Sequence, residues 1–183
     1  MDHPNIVKFY QCVYDNTYVN IVMELVKGTT LSDYLMEQPS TKIDENQCKI
    51  ILRQSIHAIK YFHAKGIVHR DLKLDNILLQ GIGSNDLRIK MIDFGMSKIT
   101  GKGNKKINLS TYCGTIDFIA PEIFEGKGYD KTCDIWSLGV IAYFILAGMG
   151  PFKGKDDVQI KSNIISCDFS FDDPVWENIS EEA

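Results

Sequence analysis

The chain has 183 residues, of which 44% are hydrophobic and 24% are charged, and its formal net charge at pH 7 is −4. This length is sufficient for one sizeable domain with its own core, and the composition is ordinary for a globular protein. Because no block of like charges occurs, the composition gives no reason to expect an anionic membrane surface as a partner. We likewise expect no nucleic-acid partner.

The start of the chain, MDHPNIVKFY, lacks the basic region and apolar core of a signal peptide. The longest apolar run, Ile135 to Gly150, is shorter than the roughly 20 residues that span a bilayer. We therefore predict a buried core helix there and no membrane insertion. The five cysteines are scattered and form no C-x-x-C pair, which is typical of reduced thiols. We expect a cytoplasmic protein, with a nuclear location also compatible.

The first half of the chain contains signals for a hairpin followed by two helices. Residues 6–13 and 18–26 are apolar and rich in β-branched side chains, and the turn residues 14–17 separate them, which predicts a β-hairpin. The segment TLSDYLME, residues 30–37, predicts a short helix that stops before Pro39. Asp44 and Gln47 resemble a capping box that opens a longer helix with apolar residues at helical spacing, and Gly66 can end it.

The second half begins with strands and ends with helices. NILLQ (76–80) and LRIKMI (87–92) predict two strands joined by the turn-rich segment GIGSND. Residues 96–118 lack periodicity and predict a long polar loop, and long loops in compact domains are usually functional. From Tyr129 onward the pattern is mostly helical, with the buried helix near residues 131–147.

The stretch IVHRDLKLDNILL, residues 67–79, places six polar or charged side chains between two apolar runs. Burying charge is costly unless each charge has a partner or a ligand. Asp93 ends the next apolar strand, so two strand ends could bring Asp71, Asn76 and Asp93 to one rim. Carboxylate and amide oxygens suit Mg²⁺, which usually also takes ligands from substrate phosphates. Lys73 would then be a positive charge beside a transferring phosphoryl group, and Asp71 would accept the proton of an incoming hydroxyl.

These segments resemble the motifs of eukaryotic protein kinases. HRDLKLDN matches the catalytic loop, DFG (93–95) the magnesium motif and APE (120–122) the end of the activation segment. CGTIDFIAPE and DIWSLGVIAYFILAGMGPF also match, in order and at the family's spacing, over essentially the whole chain. The resemblance implies an α+β, protein-kinase-like fold made mainly of the helical C-terminal lobe and the last two strands of the N-terminal lobe. Residues 1–26 would end the N-terminal lobe and residues 27–183 would form a C-terminal lobe truncated before its last helices.

The resemblance also implies roles in catalysis. Asp71 looks like the catalytic base and Lys73 like the lysine that reaches the γ-phosphate of ATP. Asn76 and Asp93 look like the magnesium ligands. Thr115 resembles the threonine that hydrogen-bonds both the base and that lysine.

Other positions resemble the nucleotide site and its supports. Met23 looks like the gatekeeper, Glu24 to Val26 like the hinge whose backbone reads the adenine edge, and Leu78 like the residue under the adenine ring. His69 and Phe94 are expected to pack and, with Phe9, to stack as part of a spine. Asp134 is expected to anchor the catalytic loop from the start of a helix, whereas Asp75 either contacts a basic substrate or faces solvent.

Lys73 and GTIDFIAPE look like serine/threonine kinases, so the implied partner is a protein with a Ser or Thr acceptor. The segment from Thr132 to Phe152 and the tail FDDPVWENISEEA resemble the calcium/calmodulin-dependent group, including calcium-dependent protein kinases. Thr30 departs from that group, which often has an acidic residue there, and a strict preference for arginine upstream of the target is not implied. Arg70 suggests regulation by a phosphate at Thr111, with Lys98 assisting, and Ser110 is the alternative phosphosite.

The Gly-rich loop, the strand lysine and the helix glutamate that protein kinases carry upstream of HPNI have no match in these residues. We therefore expect the isolated chain to have little or no kinase activity and to aggregate, as a partial record of a longer kinase. A truncated, non-catalytic binding or regulatory module is the alternative, although the HRD, DFG and Asn positions are intact. A small-molecule phosphotransferase of related fold would not be expected to show APE.

Overall fold

The computed structural model describes residues 1–83, 86–99, 115–126 and 130–181. It begins with an antiparallel hairpin of β1 (Phe9–Tyr14) and β2 (Val19–Met23), as the sequence predicts, with strands slightly shorter than expected. In the turn, the carboxylate of Asp15 accepts hydrogen bonds from the backbone N–H groups of Thr17 and Tyr18, both at 2.7 Å. This side chain therefore fixes the turn by mimicking a backbone acceptor.

The architecture is α+β, with helices packed against small antiparallel sheets. Short 3₁₀ turns at 74–76, 94–96, 116–118 and 174–178 connect several of the elements. After the hairpin, the helices and strands follow in the order β3 (Thr29–Thr30), α1 (Leu31–Glu37), α2 (Glu45–Ala64), β4 (Ile67–Val68), β5 (Ile77–Gln80), β6 (Arg88–Met91), β7 (Lys98–Ile99), α3 (Pro121–Phe124), α4 (Thr132–Ala147) and α5 (Asp157–Ser166).

The predicted cap of α2 forms in part. The Asp44 carboxylate accepts hydrogen bonds from the backbone N–H groups of Asn46 at 3.0 Å and Gln47 at 3.4 Å. The Gln47 side chain does not turn back to complete a capping box; its Oε1 accepts from the hydroxyl of Tyr34 on α1 at 3.4 Å. Asp44 therefore starts the helix, while Gln47 joins α1 to α2. Gly66, at φ 71°, follows the end of the helix in the left-handed conformation that glycine adopts readily.

The central sheet has the order β3–β5–β6, and one of its faces is buried. Ile77 and Leu79 of β5 lie opposite Met91 and Ile89 of β6, and all four side chains are completely buried. The alternate residues of both strands are only partly buried or exposed, as the two-residue period of a strand requires. The N-terminal segment adds to β6 through a parallel bridge between Ile6 and Met91.

The buried face of this sheet joins the main core, in which α2 contacts both β6 and α4. Helix α4 is apolar around most of its circumference, which is the pattern of a helix buried on several sides. The prediction of a buried helix near residues 131–147 is therefore confirmed. Across the described part of the chain, no helix combines the length and hydropathy needed to cross a membrane.

The segment predicted as one long loop is partly ordered into secondary structure. Residues 98–99 form β7, which pairs with β4 so that Lys98 lies opposite Val68, and residues 116–118 form a 3₁₀ turn. The prediction of a structureless loop was wrong at these two places. The pairing joins segments about thirty residues apart, so no local sequence pattern predicts it. Residues 100–114 lie outside the described residues.

Candidate active site

The segment between β4 and β5 carries the polar cluster, and a carboxylate of α4 fixes its start. Asp134 is completely buried in the first turn of α4. Its Oδ2 accepts from the His69 backbone N–H at 3.0 Å, and its Oδ1 accepts from the Arg70 backbone N–H at 2.8 Å. The ring nitrogen Nε2 of His63, near the end of α2, lies 2.7 Å from Oδ2. Asp134 thus anchors the loop to two helices, in agreement with its predicted role.

The anchored loop contains a backbone conformation that needs this support. Arg70 has φ 72°, a left-handed value that is costly for residues other than glycine and asparagine. Such a conformation persists when its surroundings overdetermine it, and it is concentrated at functional sites. The hydrogen bond from the Arg70 N–H to Asp134 supplies one such constraint.

His69 has a packing role, as the sequence predicts. Its ring is completely buried; Nε2 lies 3.1 Å from the Ile92 carbonyl oxygen and Nδ1 lies 3.4 Å from the Asp71 backbone nitrogen. A neutral ring with its proton on Nε2 donates to that carbonyl and accepts from that N–H. Burial lowers the pKa of His69, although the charges of Asp134, Asp71 and Asp93 oppose this effect. The ring therefore favours the neutral form.

The His69 ring joins the two sequence motifs through aromatic contacts. Its centroid lies 4.6 Å from that of Phe94, the second residue of DFG, and Phe62 of α2 packs edge-on against Phe94 at 5.7 Å. Sequence reasoning missed Phe62, although its place on the apolar face of α2 indicated burial. Phe9, the third predicted member of the stack, lies on β1 and is 48% exposed. The stack in this structure is thus His69, Phe94 and Phe62.

Asp71, Lys73 and Asn76 form a compact group at the start of β5. The Asn76 side-chain amide donates from Nδ2 to the Asp71 backbone oxygen at 2.7 Å and to its Oδ2 at 3.1 Å. The Lys73 ammonium lies 3.4 Å from the same carboxylate oxygen. Both Asp71 and Asn76 are buried, whereas Lys73 is partly exposed and Asp75 faces solvent. The structure therefore brings together a carboxylate, an amide and a positive charge.

Asp93 is brought to the same rim by the pairing of β5 with β6. The backbone N–H of Ile92 donates to the Asn76 carbonyl at 3.0 Å, so the residue before Asp93 is bonded directly to Asn76. Asp93 has φ 58°, and its Oδ1 accepts from the Gly95 N–H at 3.1 Å. The predicted convergence of Asp71, Asn76 and Asp93 is consistent with this bonding, which spans both motifs.

The oxygens left over in this group suit a magnesium ion. Asn76 uses both of its bonds to Asp71 through nitrogen, so its amide oxygen remains as an acceptor. Asp93 uses Oδ1 for Gly95, and its second oxygen bonds to no other described residue. Within the described ranges, no cluster of three or more His, Cys, Asp or Glu side chains could hold a metal ion. Two protein oxygens completed by substrate phosphates are, however, a usual arrangement for Mg²⁺.

The residues predicted to hold the nucleotide lie at the end of the hairpin, in the segment after it and on the central sheet. Met23 ends β2, Glu24 and Val26 follow it, and Leu78 lies on the face of β5 opposite to the core. The chain then passes very close to β5, since a Cβ on Gly28 would lie 2.1 Å from the Leu79 carbonyl oxygen. Glycine is therefore required there for the segment after the hinge to approach the strand.

The role predicted for Thr115 stays a prediction, because the segment before it lies outside the described residues. Thr115 is exposed at the start of a 3₁₀ turn, and within the described residues it forms no hydrogen bond to Asp71 or Lys73. In this structure Asp71 is held by Asn76 and Lys73 instead. The expected link from the activation segment to the base is thus absent among the described residues.

The predicted regulatory group is seen only in part. Thr111 and Ser110 lie outside the described residues. The pairing of β4 with β7 places Lys98 opposite Val68, two positions before Arg70. The phosphosite stays a prediction.

Comparison with known proteins agrees with this geometry. The chain matches the family described as Protein kinase domain over residues 1–183. It is 39% identical over 183 residues to calcium/calmodulin-dependent protein kinase type 1 of Macrobrachium nipponense, and the aligned region covers 100% of this chain and 51% of that protein. It is 41% identical over 183 residues to calcium/calmodulin-dependent protein kinase type 1B of Homo sapiens, covering 100% of this chain and 51% of that protein. It is also 41% identical over 183 residues to a probable myosin light chain kinase of Dictyostelium discoideum, covering 100% of this chain and 55% of that protein.

The chain belongs to the protein kinase domain family. Members of this family use ATP and Mg²⁺. Within the family, the chain is similar to calcium/calmodulin-dependent and myosin light chain kinases, as its sequence motifs indicate. It spans about half the length of these relatives.

Proposed function

We propose that the protein containing this chain is a serine/threonine protein kinase, which transfers the γ-phosphoryl group of ATP to a Ser or Thr hydroxyl of a protein. One observation carries the proposal: the Asp71 carboxylate is bonded to Asn76, and Asn76 is bonded to the residue before Asp93. This network joins a proton acceptor to a pair of magnesium ligands at one place, which is what phosphoryl transfer requires of a protein.

In the proposed reaction, the acceptor hydroxyl attacks the γ-phosphorus, its new O–P bond forms, and the bond to the leaving ADP oxygen breaks. The Asp71 carboxylate takes the hydroxyl proton, and Asn76 fixes that carboxylate through the 3.1 Å hydrogen bond. Lys73, 3.4 Å from Asp71, places positive charge beside the transferring group. The amide oxygen of Asn76 and the free oxygen of Asp93 would hold Mg²⁺, which neutralises phosphate charge when bound.

We further propose that residues 1–26 end an N-terminal lobe and contribute the hinge, and that residues 27–183 belong to a C-terminal lobe. The separate β1–β2 hairpin, and the fact that all of the α-helices follow it, support this division. A non-catalytic binding or regulatory module is the second candidate.

Phosphate transfer by the full-length protein tests the proposal. We expect transfer from labelled ATP to serine and threonine, and not to tyrosine, in a mixed peptide library with Mg²⁺. Asp71→Asn should lower kcat by about 10² to 10⁴, because general-base catalysis contributes about that factor. Asp168→Asn, at an exposed position after α5, is the matched control and should keep the wild-type rate. Absence of transfer and of magnesium-dependent nucleotide binding in the wild-type protein would instead support the non-catalytic module.

The regulatory phosphate is a separate proposal. A phosphate at Thr111, or alternatively at Ser110, would form charge-assisted hydrogen bonds with Arg70 and Lys98 and order the activation segment. Mass spectrometry of active full-length protein should find one of these hydroxyls modified. Active protein in which both hydroxyls are unmodified would remove this proposal and leave the catalytic one intact.

A further inference from the structure

The segment 24–27, which contains the predicted hinge Glu24 to Val26 and the residue after it, is held at both ends by side chains of the central sheet. At its start, the Glu24 carboxylate accepts from the Lys90 ammonium at 2.5 Å and from the Lys8 backbone N–H at 3.0 Å. At its end, the Lys27 carbonyl accepts from the Gln80 side-chain amide at 3.1 Å. Lys90 belongs to β6 and Gln80 to β5. We call the Glu24–Lys90 and Lys27–Gln80 contacts together the hinge clamp.

Both holding side chains lie on the face of the sheet that points away from the core. Lys90 is directly opposite Leu78 in the β5–β6 register, and directly opposed residues of antiparallel strands project to the same side. Gln80 lies two residues after Leu78 and therefore shares this face. Leu78, the residue predicted beneath the adenine ring, is thus a same-face neighbour of both Lys90 and Gln80.

The Glu24–Lys90 contact is the stronger of the two. Its side chains are only 23% and 17% exposed, and the Lys90 ammonium also donates to the Ile6 carbonyl at 3.3 Å. Burial by itself raises the pKa of Glu24, but the hydrogen bonds from Lys90 and Lys8 outweigh it and the pKa is lowered. Removing Lys90 would leave a partly buried carboxylate with a single remaining donor, which is a costly state.

The clamp determines where the hinge backbone lies. The Glu24 backbone N–H donates to the Lys8 carbonyl at 2.9 Å, so the backbone group of Glu24 that remains to meet an adenine edge is its carbonyl. The hydrogen-bonded N–H of Glu24 and its held side chain together fix the position of that carbonyl. A displacement of about 1 Å at such a positioning group can be costly for function.

We propose that Lys90 is a positioning residue of the nucleotide site, which acts through Glu24 to hold the hinge backbone over Leu78. It does not touch the reacting atoms. The inference rests on the function proposed above and adds to that function a residue on a different strand, whose contribution is to nucleotide affinity and not to the chemical step.

Nucleotide binding and steady-state kinetics of the full-length protein test this inference. We expect Lys90→Met to raise the Kd and KM for ATP about tenfold while kcat at saturating ATP stays within about twofold, since the interaction is equal in the ground and transition states. Glu24→Gln should behave similarly, and the double variant should cost no more than either change alone, because both remove one interaction. Lys90→Arg should restore most of the affinity.

The matched control is Arg88→Met on the same strand. Arg88 pairs with Asp86 at 2.8 Å, but both side chains are about two-thirds exposed, so this change should leave the Kd for ATP unchanged. An unchanged Kd in both Lys90→Met and Glu24→Gln, or a fall in kcat with constant KM, would overturn the inference even if the melting temperature falls. A wild-type protein that binds no ATP would refute the proposed function and this inference with it.

Discussion

Replacing Asp134 with alanine should destabilise the loop that carries the candidate active site, without changing any group proposed to contact the substrate. Asp134 is completely buried, and its two oxygens accept hydrogen bonds from the backbone N–H groups of His69 and Arg70 and contact His63. The alanine variant would leave two buried backbone donors without an acceptor and remove the tie that holds Arg70 at φ 72°.

The size of the effect follows from these contacts. Each buried donor that loses its partner costs about 1–3 kcal/mol. Asp134 accepts from two such donors, so their combined loss costs about 2–6 kcal/mol. We therefore expect Asp134→Ala to lower the free energy of unfolding by about 2–6 kcal/mol, a large share of the 5–15 kcal/mol typical of a domain.

Asp157→Ala is the matched control for this change. Asp157 also lies in the first turn of a helix, α5, but it is exposed, so its replacement removes only a favourable interaction with the helix dipole. That interaction is worth about 0.3–1 kcal/mol. Urea unfolding of both variants, followed by tryptophan fluorescence and circular dichroism, gives the comparison. If the two variants lose stability equally, Asp134 is not the anchor of the loop.

Three further outcomes follow from burial. Burial lowers the pKa of His69 from its ordinary 6.5, so below that pH the unfolded chain binds a proton that the folded chain does not. The free energy of unfolding should therefore fall as pH decreases from 7 to 5, and it should fall less steeply in His69→Phe. Equal slopes in the two proteins would contradict this. Gly28→Ala should lower the melting temperature, because its Cβ would clash with the backbone of Leu79. Gly139→Ala, where a Cβ on α4 meets open space, should raise the melting temperature slightly. A higher melting temperature for Gly28→Ala than for Gly139→Ala would be inconsistent with the fold. Burial raises the pKa of Cys48 to about 12, so iodoacetamide at pH 8 should label exposed Cys167 and spare Cys48, as mass spectrometry can determine; equal labelling would disprove the burial.

Much of the local structure could be predicted from the sequence because its causes are local. Asp44 begins α2 one residue before Glu45, and the buried helix begins within a residue of its predicted start. The hairpin follows from two β-branched runs around a turn. The site residues from the catalytic loop and DFG were predicted through motifs whose order and spacing carry the information.

The remaining features depend on contacts between distant parts of the chain, which leave no local signal. The pairing of β4 with β7 and the bond of Lys90 to Glu24, 66 residues away, are of this kind. Thr115 was predicted beside the base from resemblance alone, and the segment before it lies outside the described residues. Gln47 fits the capping pattern, yet its side chain bonds to α1 because that helix packs nearby.

Metal binding at the rim tests the central claim most directly. In the full-length protein, Mn²⁺ can replace Mg²⁺, and its electron paramagnetic resonance signal measures the affinity of the ion in the presence of a non-hydrolysable ATP analogue. Asp93→Asn and Asn76→Ala should each weaken Mn²⁺ binding by tenfold or more, whereas exposed Asp168→Asn should leave it unchanged. Wild-type affinity in both rim variants would show that these oxygens do not hold the ion, and it would contradict the assignment of the site.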